Sequence, residues 1–219
     1  LIVAKTSAWL ATDSIAVLSS LIDSFLDALA SIVTLIAIRH SLQPADREHR
    51  FGHGKVEALA ALAQSAFIVG SAVLLLFEAG ARSLDPQEIT RGNVAIYVML
   101  FSIALTFMLV LIQRWAIRNS GSVAISADSL HYQTDVLINA SVLVSIFLAS
   151  DMGIVHADPV FALGIAAYII YSAWQIGNGA LHILMDHELP DEERAEIIAV
   201  AEAQNGVKGV HDLRTRSSG

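Results

Sequence analysis

The sequence contains no cysteine, and only 16% of its 219 residues are charged. Without thiols the chain forms neither disulfide bonds nor thiolate metal sites, so a soft-metal site has to be built from histidine and carboxylate side chains. The net charge of −8 argues against nucleic acid as a partner. Hydrophobic residues are abundant and make up 55% of the chain. Several apolar runs approach the ~20 residues that cross a bilayer. This composition predicts an integral membrane protein in contact with the lipid bilayer.

Apolar runs separated by polar turns predict an all-α membrane protein with six membrane helices. The apolar piece 1–11 is too short to span, and we expect it to be the end of a first helix that is incomplete at its N-terminus. It has no basic segment of the kind that opens a signal peptide. The other five membrane helices are predicted at 15–38, 58–77, 94–112, 123–148 and 160–185.

The composition changes after residue 186, where the apolar runs end. Residues 187–219 are charged and amphipathic, and residues 207–216, which read VKGVHDLRTR, are expected to begin a strand. The chain therefore divides into a transmembrane domain, 1–186, and the beginning of a soluble domain, 187–219. One face of a soluble helix in the second part is indicated by Ile197, Ile198, Val200 and Ala201.

Lysine and arginine are distributed unevenly about the predicted helices. One side of the bundle carries only Arg82 and Arg91. Because cytoplasmic loops are enriched in these cations, the opposite side is predicted to be cytoplasmic, with both termini on it. That side carries Arg39, Arg47, Arg50, Lys55, Arg114, Arg118, Arg194, Lys208, Arg214 and Arg216.

Two predicted membrane helices each carry a pair of metal-ligating residues four positions apart. Asp23 and Asp27 share one face of the helix at 15–38, and His131 and Asp135 share one face of the helix at 123–148. If the pairs face each other, they supply three carboxylates and one imidazole, which suits a tetrahedral Zn²⁺ site. The alternative is a set of polar contacts between helices, or a water-filled pocket without metal.

Three further polar residues on predicted membrane helices have two interpretations each. Asp128 lies one turn before His131 and either lines the cytoplasmic side of an ion path or complements the helix N-terminus. Gln64 and Asn139 either donate hydrogen bonds to the ligands or join neighbouring helices.

The loop at 39–55 contains a second cluster, Asp46, His49 and His53, at spacings of three and four. Two histidines and an aspartate bind Zn²⁺ with one position left open. A solvated polar loop is the alternative. The sequence GHGK within it lacks the spacing of a phosphate-binding loop.

These segments resemble the cation diffusion facilitator family, and within it the bacterial ferrous-iron and zinc efflux pumps. The matching segments are DSFLD, SLQPADREHRFGHGKVEALAALAQS, HYQTD, LPDEER and HDLRTRSSG, so the resemblance extends over essentially the whole chain. It implies a homodimeric, proton-coupled antiporter of the bacterial inner membrane that exports divalent metal cations, most of all Zn²⁺. Iron, cadmium, manganese and cobalt stay open as cargo.

The resemblance also implies roles for individual residues. The pairs on the two membrane helices match the intramembrane transport site, and the loop cluster matches a zinc site at the membrane–cytoplasm boundary. Lys55 and Asp186 match a charge interlock near the dimer interface. His211 matches a zinc ligand of a ferredoxin-like, metallochaperone-like cytoplasmic domain, of which residues 187–219 would be the start. The implied metal ligands are Asp23, Asp27, His131, Asp135, Asp46, His49, His53 and His211.

A metal-binding sensor or scaffold and a metalloenzyme are the two alternatives to a transporter. A membrane sensor or scaffold would bind metal without moving it. An intramembrane metalloenzyme would need an open coordination position for a metal-bound water, and four protein ligands leave none. The sequence therefore predicts a transporter rather than an enzyme.

Overall fold

The computed structural model describes residues 15–84, 93–152 and 157–217, together with residues 2, 3, 6, 7 and 10. The described part is mostly helical and contains no strand. Its helices are α1 (Ile15–Ser41), α2 (Lys55–Leu84), α3 (Asn93–Ser120), α4 (Val123–Met152), α5 (Ala157–Leu184) and α6 (Asp191–Glu202).

The long helices lie where the apolar runs predict them, but each is longer than its apolar run. Helix α2, for example, has 30 residues and extends on both sides of the predicted 58–77. Hydrophobicity marks only the stretch that matches the bilayer core, about 30 Å thick, whereas backbone hydrogen bonding carries the helix on into the polar boundary. Apolar composition therefore locates these helices well and their ends poorly.

Four described helices contain stretches long and apolar enough to cross a membrane. Helix α4 is not one of them, although it has 30 residues, because polar side chains crowd its first half, which reads ADSLHYQTD at 127–135. The predicted piece 1–11 falls largely outside the described residues, so six membrane helices remain a prediction. The four stretches are Ser24–Ser41, Lys55–Phe77, Leu100–Ser120 and Val160–Leu184.

The segment after α6 is irregular where a strand was expected. Residues 207–217 form no strand in the structure, and none of the other described residues offers one to pair with. Since a lone strand leaves its backbone donors and acceptors unpaired, the segment has no ladder to join. The helix predicted from Ile197 and Val200 is present as α6.

The helices pack through small side chains. Helix α2 makes its most extensive contact with α5, α4 packs against both α3 and α5, and α1 packs against α2 and α4. At Gly177 of α5, an added Cβ would meet Cβ of Ser65 on α2 at 3.4 Å, so the two backbones approach closely there. The buried core comprises Ile68, Ala72, Leu130, Ile169 and Ala173, with a second cluster of Ala58, Ala61, Ala127 and Ala180.

Large apolar side chains cover the outside of the bundle, as expected for helices that contact lipid rather than water. They occur on each of the five long helices. Examples are Phe25, Leu29, Ile36, Phe67, Phe77, Phe101, Trp115, Phe147, Tyr171 and Trp174.

Candidate metal centre

A close polar contact between α1 and α4 joins two of the predicted transport ligands. His131 Nε2 lies 2.8 Å from Asp27 Oδ1, and the two side chains are only 17% and 27% exposed. Asp135 follows His131 by one helical turn. One ligand atom from each of Asp27, His131 and Asp135 lies within 4.8 Å of the others. The tertiary structure therefore brings an imidazole and two carboxylates together between α1 and α4.

This spacing is close to what a bound metal ion needs. Zinc bonds of 2.0–2.2 Å at tetrahedral angles would place neighbouring ligand atoms roughly 3.4 Å apart. Side-chain rotation of about an ångström therefore closes the cluster around an ion. Asp23 lies one turn before Asp27 on α1, but its side chain falls outside the described residues, so its place in the site stays a prediction.

Asp128 does not join this cluster, although it lies on the same helix. Its side chain is buried, with 7% exposed, and it accepts three hydrogen bonds. Ser31 Oγ of α1 and Gln64 Nε2 of α2 each donate to Oδ1 at 3.2 Å, and Gln113 Nε2 of α3 donates to Oδ2 at 2.7 Å. One carboxylate thus connects α4 to three other helices, which makes it a structural centre of the bundle rather than an N-terminal acid.

Two more hydroxyl groups extend this network. The hydroxyls of Ser31 and Tyr132 lie 2.9 Å apart, and Thr34 Oγ1 donates to Gln64 Oε1 at 3.1 Å. Ser31 lies one turn beyond Asp27, so the network adjoins the candidate metal ligands along the facing sides of α1 and α4. We infer that these bonds hold the two helices in the register that places Asp27 opposite His131.

The side-chain amides of Gln64 and Asn139 form different kinds of hydrogen bond. Gln64 bonds across helices, which is one of its two predicted roles. Asn139 differs from both of its predictions, because its Nδ2 donates to the main-chain carbonyl of Asp135 within α4, at 2.7 Å. Sequence reasoning missed Ser31 and Gln113, and only the helical spacing of Ser31 from Asp27 could have indicated one of them.

The loop between α1 and α2 brings its three predicted ligands together. Asp46 Oδ1 lies 3.5 Å from His49 Nδ1, and Asp46 Oδ2 lies 3.5 Å from His53 Nε2. The main-chain N–H groups of His49 and Glu48 donate to Asp46 Oδ1. These bonds lower the pKa of Asp46 below its usual range, and the bond from His49 has the larger effect of the two. The loop backbone therefore holds an ionised carboxylate between two imidazoles.

The charge interlock expected from the resemblance is present as an ion pair. Lys55 Nζ, at the start of α2, lies 2.8 Å from Asp186 Oδ1, just after α5, and also donates to the Leu184 carbonyl at 3.3 Å. Arg216 Nη1 lies 3.5 Å from the same carboxylate. The pKa of Asp186 lies below its ordinary value, mainly because of the hydrogen bond from Lys55. The positive charges of Lys55 and Arg216 lower it further.

His211 stands apart from these clusters. It is exposed, and it belongs to neither of the two groups of metal-ligating side chains found among the described residues. Its role as a ligand stays a prediction.

Apolar helices that enclose a carboxylate–imidazole cluster define a membrane protein with a candidate cation site within its helix bundle. Comparison with known proteins gives its family. Residues 1–185 match the cation efflux transmembrane domain, and residues 189–219 match the cytoplasmic domain of cation efflux proteins. The chain belongs to the cation efflux family, which is a family of transporters rather than enzymes. The resemblance indicated by the sequence motifs is confirmed.

Curated relatives are almost half identical to this chain over its 219 residues. The cation-efflux pump FieF of Pectobacterium atrosepticum is 49% identical over 219 residues, which make up all of this chain and 73% of that protein. The pumps of the same name from Klebsiella pneumoniae and Yersinia enterocolitica are 48% identical with the same coverage. The alignment includes both candidate metal clusters.

Proposed function

We propose that this protein is a proton-coupled antiporter that exports divalent metal cations from the cytoplasm, with Zn²⁺ as the main cargo and Cd²⁺ or Fe²⁺ as further candidates. The observation that carries the proposal is the cluster of Asp27, His131 and Asp135 between α1 and α4. Carboxylates inside a membrane bundle are costly and usually mark an ion path. Asp23, one turn from Asp27, would complete a tetrahedral set of three carboxylates and one imidazole.

The same side chains are suited to exchange metal for protons. A metal ion needs neutral imidazole and ionised carboxylates, so its binding releases protons. On the outward side, protons compete for His131 and the aspartates and expel the metal. Because Asp27 and His131 lie on different helices, a rocking of α1 and α4 against the rest of the bundle would open the site to each side in turn. An inward proton gradient then drives metal outward.

The donor set favours zinc without being exclusive to it. Neither cluster contains a thiolate, since the chain has no cysteine. Nitrogen and oxygen ligands in a tetrahedral arrangement suit Zn²⁺, but affinities for divalent metals follow a general order that leaves iron and cadmium as competitors. Cargo selection would therefore depend on geometry and on metal supply.

The remaining expectations belong to the same proposal. The transmembrane domain, 1–186, would form a six-helix bundle in a bacterial inner membrane, with both termini cytoplasmic. Residues 187–219 would begin a ferredoxin-like cytoplasmic domain in which His211 binds zinc, and the functional unit would be a homodimer. The match of residues 189–219 to a cytoplasmic domain supports this division. The loop cluster of Asp46, His49 and His53 would hold a further Zn²⁺.

Zinc flux into proteoliposomes with an imposed pH gradient tests the proposal directly. Wild-type protein should transport zinc only with the gradient, and Asp27→Ala should lose that flux. Asp191→Ala is the matched control, because this carboxylate on α6 is 99% exposed and lies far along the chain from the cluster. Flux that survives in Asp27→Ala would show that the transport site is elsewhere. Zinc binding without gradient-driven flux, in correctly oriented protein, would favour the sensor or scaffold.

A further inference from the structure

His40 is the one histidine of the α1–α2 region to which the family resemblance assigns no role. It lies in the last turn of α1. Its ring centroid is 4.9 Å from that of His53, and the ring of His53 is in turn 4.5 Å from that of His49. Asp46 faces both His49 and His53. Three imidazoles and a carboxylate are thus contiguous at the junction between α1 and α2.

The distances between the rings match those of histidines that share a metal ion. With Zn–N bonds of 2.0–2.1 Å, two imidazoles at tetrahedral angles have ring centroids about 5 Å apart. Both observed separations are close to this value. The ring nitrogens of His40 are not among the donor atoms that already lie within 4.8 Å of one another. Its side chain is exposed, so a rotation brings a nitrogen to the cluster without displacing packed neighbours.

His53 supplies a second, independent observation. Its ring is buried, with 7% exposed, yet its Nδ1 has no hydrogen-bond partner in the described structure. A buried imidazole nitrogen without a partner is costly, and buried polar atoms of this kind call for an unseen ion or water. The other nitrogen, Nε2, already faces the carboxylate of Asp46. The ring that contacts His40 therefore has a buried nitrogen, Nδ1, that is available to a metal ion.

We propose that His40 is the fourth ligand of the loop zinc site, which then holds Zn²⁺ with three imidazoles and the Asp46 carboxylate. This rests on the loop site of the proposed function and extends it. Four protein ligands close the coordination sphere, which is typical of a structural zinc rather than one in transit. Asp46, His49 and His53 alone would bind within the loop, whereas His40 ties the end of α1 to the start of α2.

The consequence concerns the helix that bears the transport ligands. Helix α1 carries Asp27, three helical turns or more before His40. Zinc bound through His40 would hold the cytoplasmic end of α1 against α2. Metal at the loop would thereby restrain the helix whose movement opens the intramembrane site.

Histidine footprinting on the full-length wild-type protein tests the proposal at His40 itself. Diethyl pyrocarbonate acylates free imidazole nitrogens, and mass spectrometry locates each modified residue. Titration with Zn²⁺ should protect His40 and His49 with one shared midpoint, while the exposed His187 near the end of α5 stays equally reactive. His40→Phe keeps an aromatic ring but no ligand, and it should raise the zinc midpoint for His49 at least about tenfold. His40→Gln should do the same.

Three results would overturn the proposal. Two of them would leave a loop zinc site without His40, and the third would remove the loop site as well. Protection of His49 with His40 still reactive would leave a three-ligand loop site. If the zinc midpoint for protection of His49 is unchanged in both His40 variants, the loop site again has three ligands only. Absence of protection at both residues would remove the loop zinc site altogether. The transport proposal is tested separately, because zinc flux of the wild-type protein and its loss in Asp27→Ala do not depend on His40.

Discussion

Gln113 Nε2 donates a hydrogen bond of 2.7 Å to Asp128 Oδ2 and so joins α3 to α4 deep in the bundle. With the bonds from Ser31 and Gln64, it makes a single carboxylate the meeting point of four helices. Along α4 the structural carboxylate of Asp128 therefore comes first, and the candidate ligands His131 and Asp135 follow it and lie beside Asp27 of α1.

Asp128→Leu should destabilise the protein more than Gln113→Leu. The first substitution leaves the Gln64 and Gln113 amides without their acceptor, at a cost of about 2 kcal/mol, whereas the second removes one bond at about 1 kcal/mol or less. The smaller cost has a second reason, since Gln113 Oε1 is already buried without a partner. Unfolding of the purified protein in detergent measures both. Equal losses, or a smaller loss in Asp128→Leu, would contradict this view of the network.

Asp135→Asn should reduce gradient-driven zinc flux by at least about tenfold, because it removes the charge of a proposed ligand from the cluster of Asp27, His131 and Asp135. Asn139→Ala is the matched control one turn further along α4. Among the described residues its amide donates to the backbone of its own helix, so flux should be unchanged. Loss of flux in Asn139→Ala with normal folding would mean that Asn139 has a direct part in the site.

Lys55→Met should make the protein more sensitive to acid. A carboxyl group whose pKa is lowered on folding stabilises the fold above its unfolded pKa of about 4, and that contribution is lost as the pH falls through the folded pKa. Asp186 is such a group because Lys55 holds its pKa down. Without the cation most of this contribution is absent, so the variant should be less stable than the wild type above that pKa, and the two should converge at lower pH. The acid midpoint of tryptophan fluorescence should therefore move upward.

The control for this experiment is Arg214→Met. Arg214 pairs with Asp212 at 2.9 Å, but both side chains are more than three quarters exposed, at 81% and 76%. Surface pairs of this kind add little stability, so the acid midpoint should stay in place. A midpoint that shifts equally in both variants would point to overall charge instead of the Lys55–Asp186 contact.

Gly177→Leu should loosen the contact between α2 and α5, whereas Gly177→Ala should be nearly neutral. A Cβ at this position would touch Ser65 at 3.4 Å, which is a van der Waals contact, and Leu62 Cδ1 lies only 3.9 Å away. The further atoms of leucine should therefore crowd α2. Overpacking of this kind costs about 1–3 kcal/mol. Thermal unfolding in detergent checks the order, and a leucine variant as stable as the alanine variant would show that the interface can adjust.

Much of the helical framework follows from the sequence, because the apolar runs and helical periodicity are local properties. The pairs Asp23/Asp27 and His131/Asp135 are likewise visible in one dimension, since four residues make about one turn. The strand expected at 207–216 depended instead on a partner, and the described chain has none to offer. Local pattern predicted that segment wrongly because strand formation is not local.

The sequence by itself determined which side chains can bind a cation and which helices carry them. It did not determine which carboxylate faces which partner. Asp128 and Asp135 lie seven residues apart on nearly the same face of α4, yet one is surrounded by amides and a hydroxyl and the other lies beside Asp27 and His131. Helical periodicity assigns a residue to a face, but only the packing of α1, α2 and α3 against that face decides what lies opposite each turn.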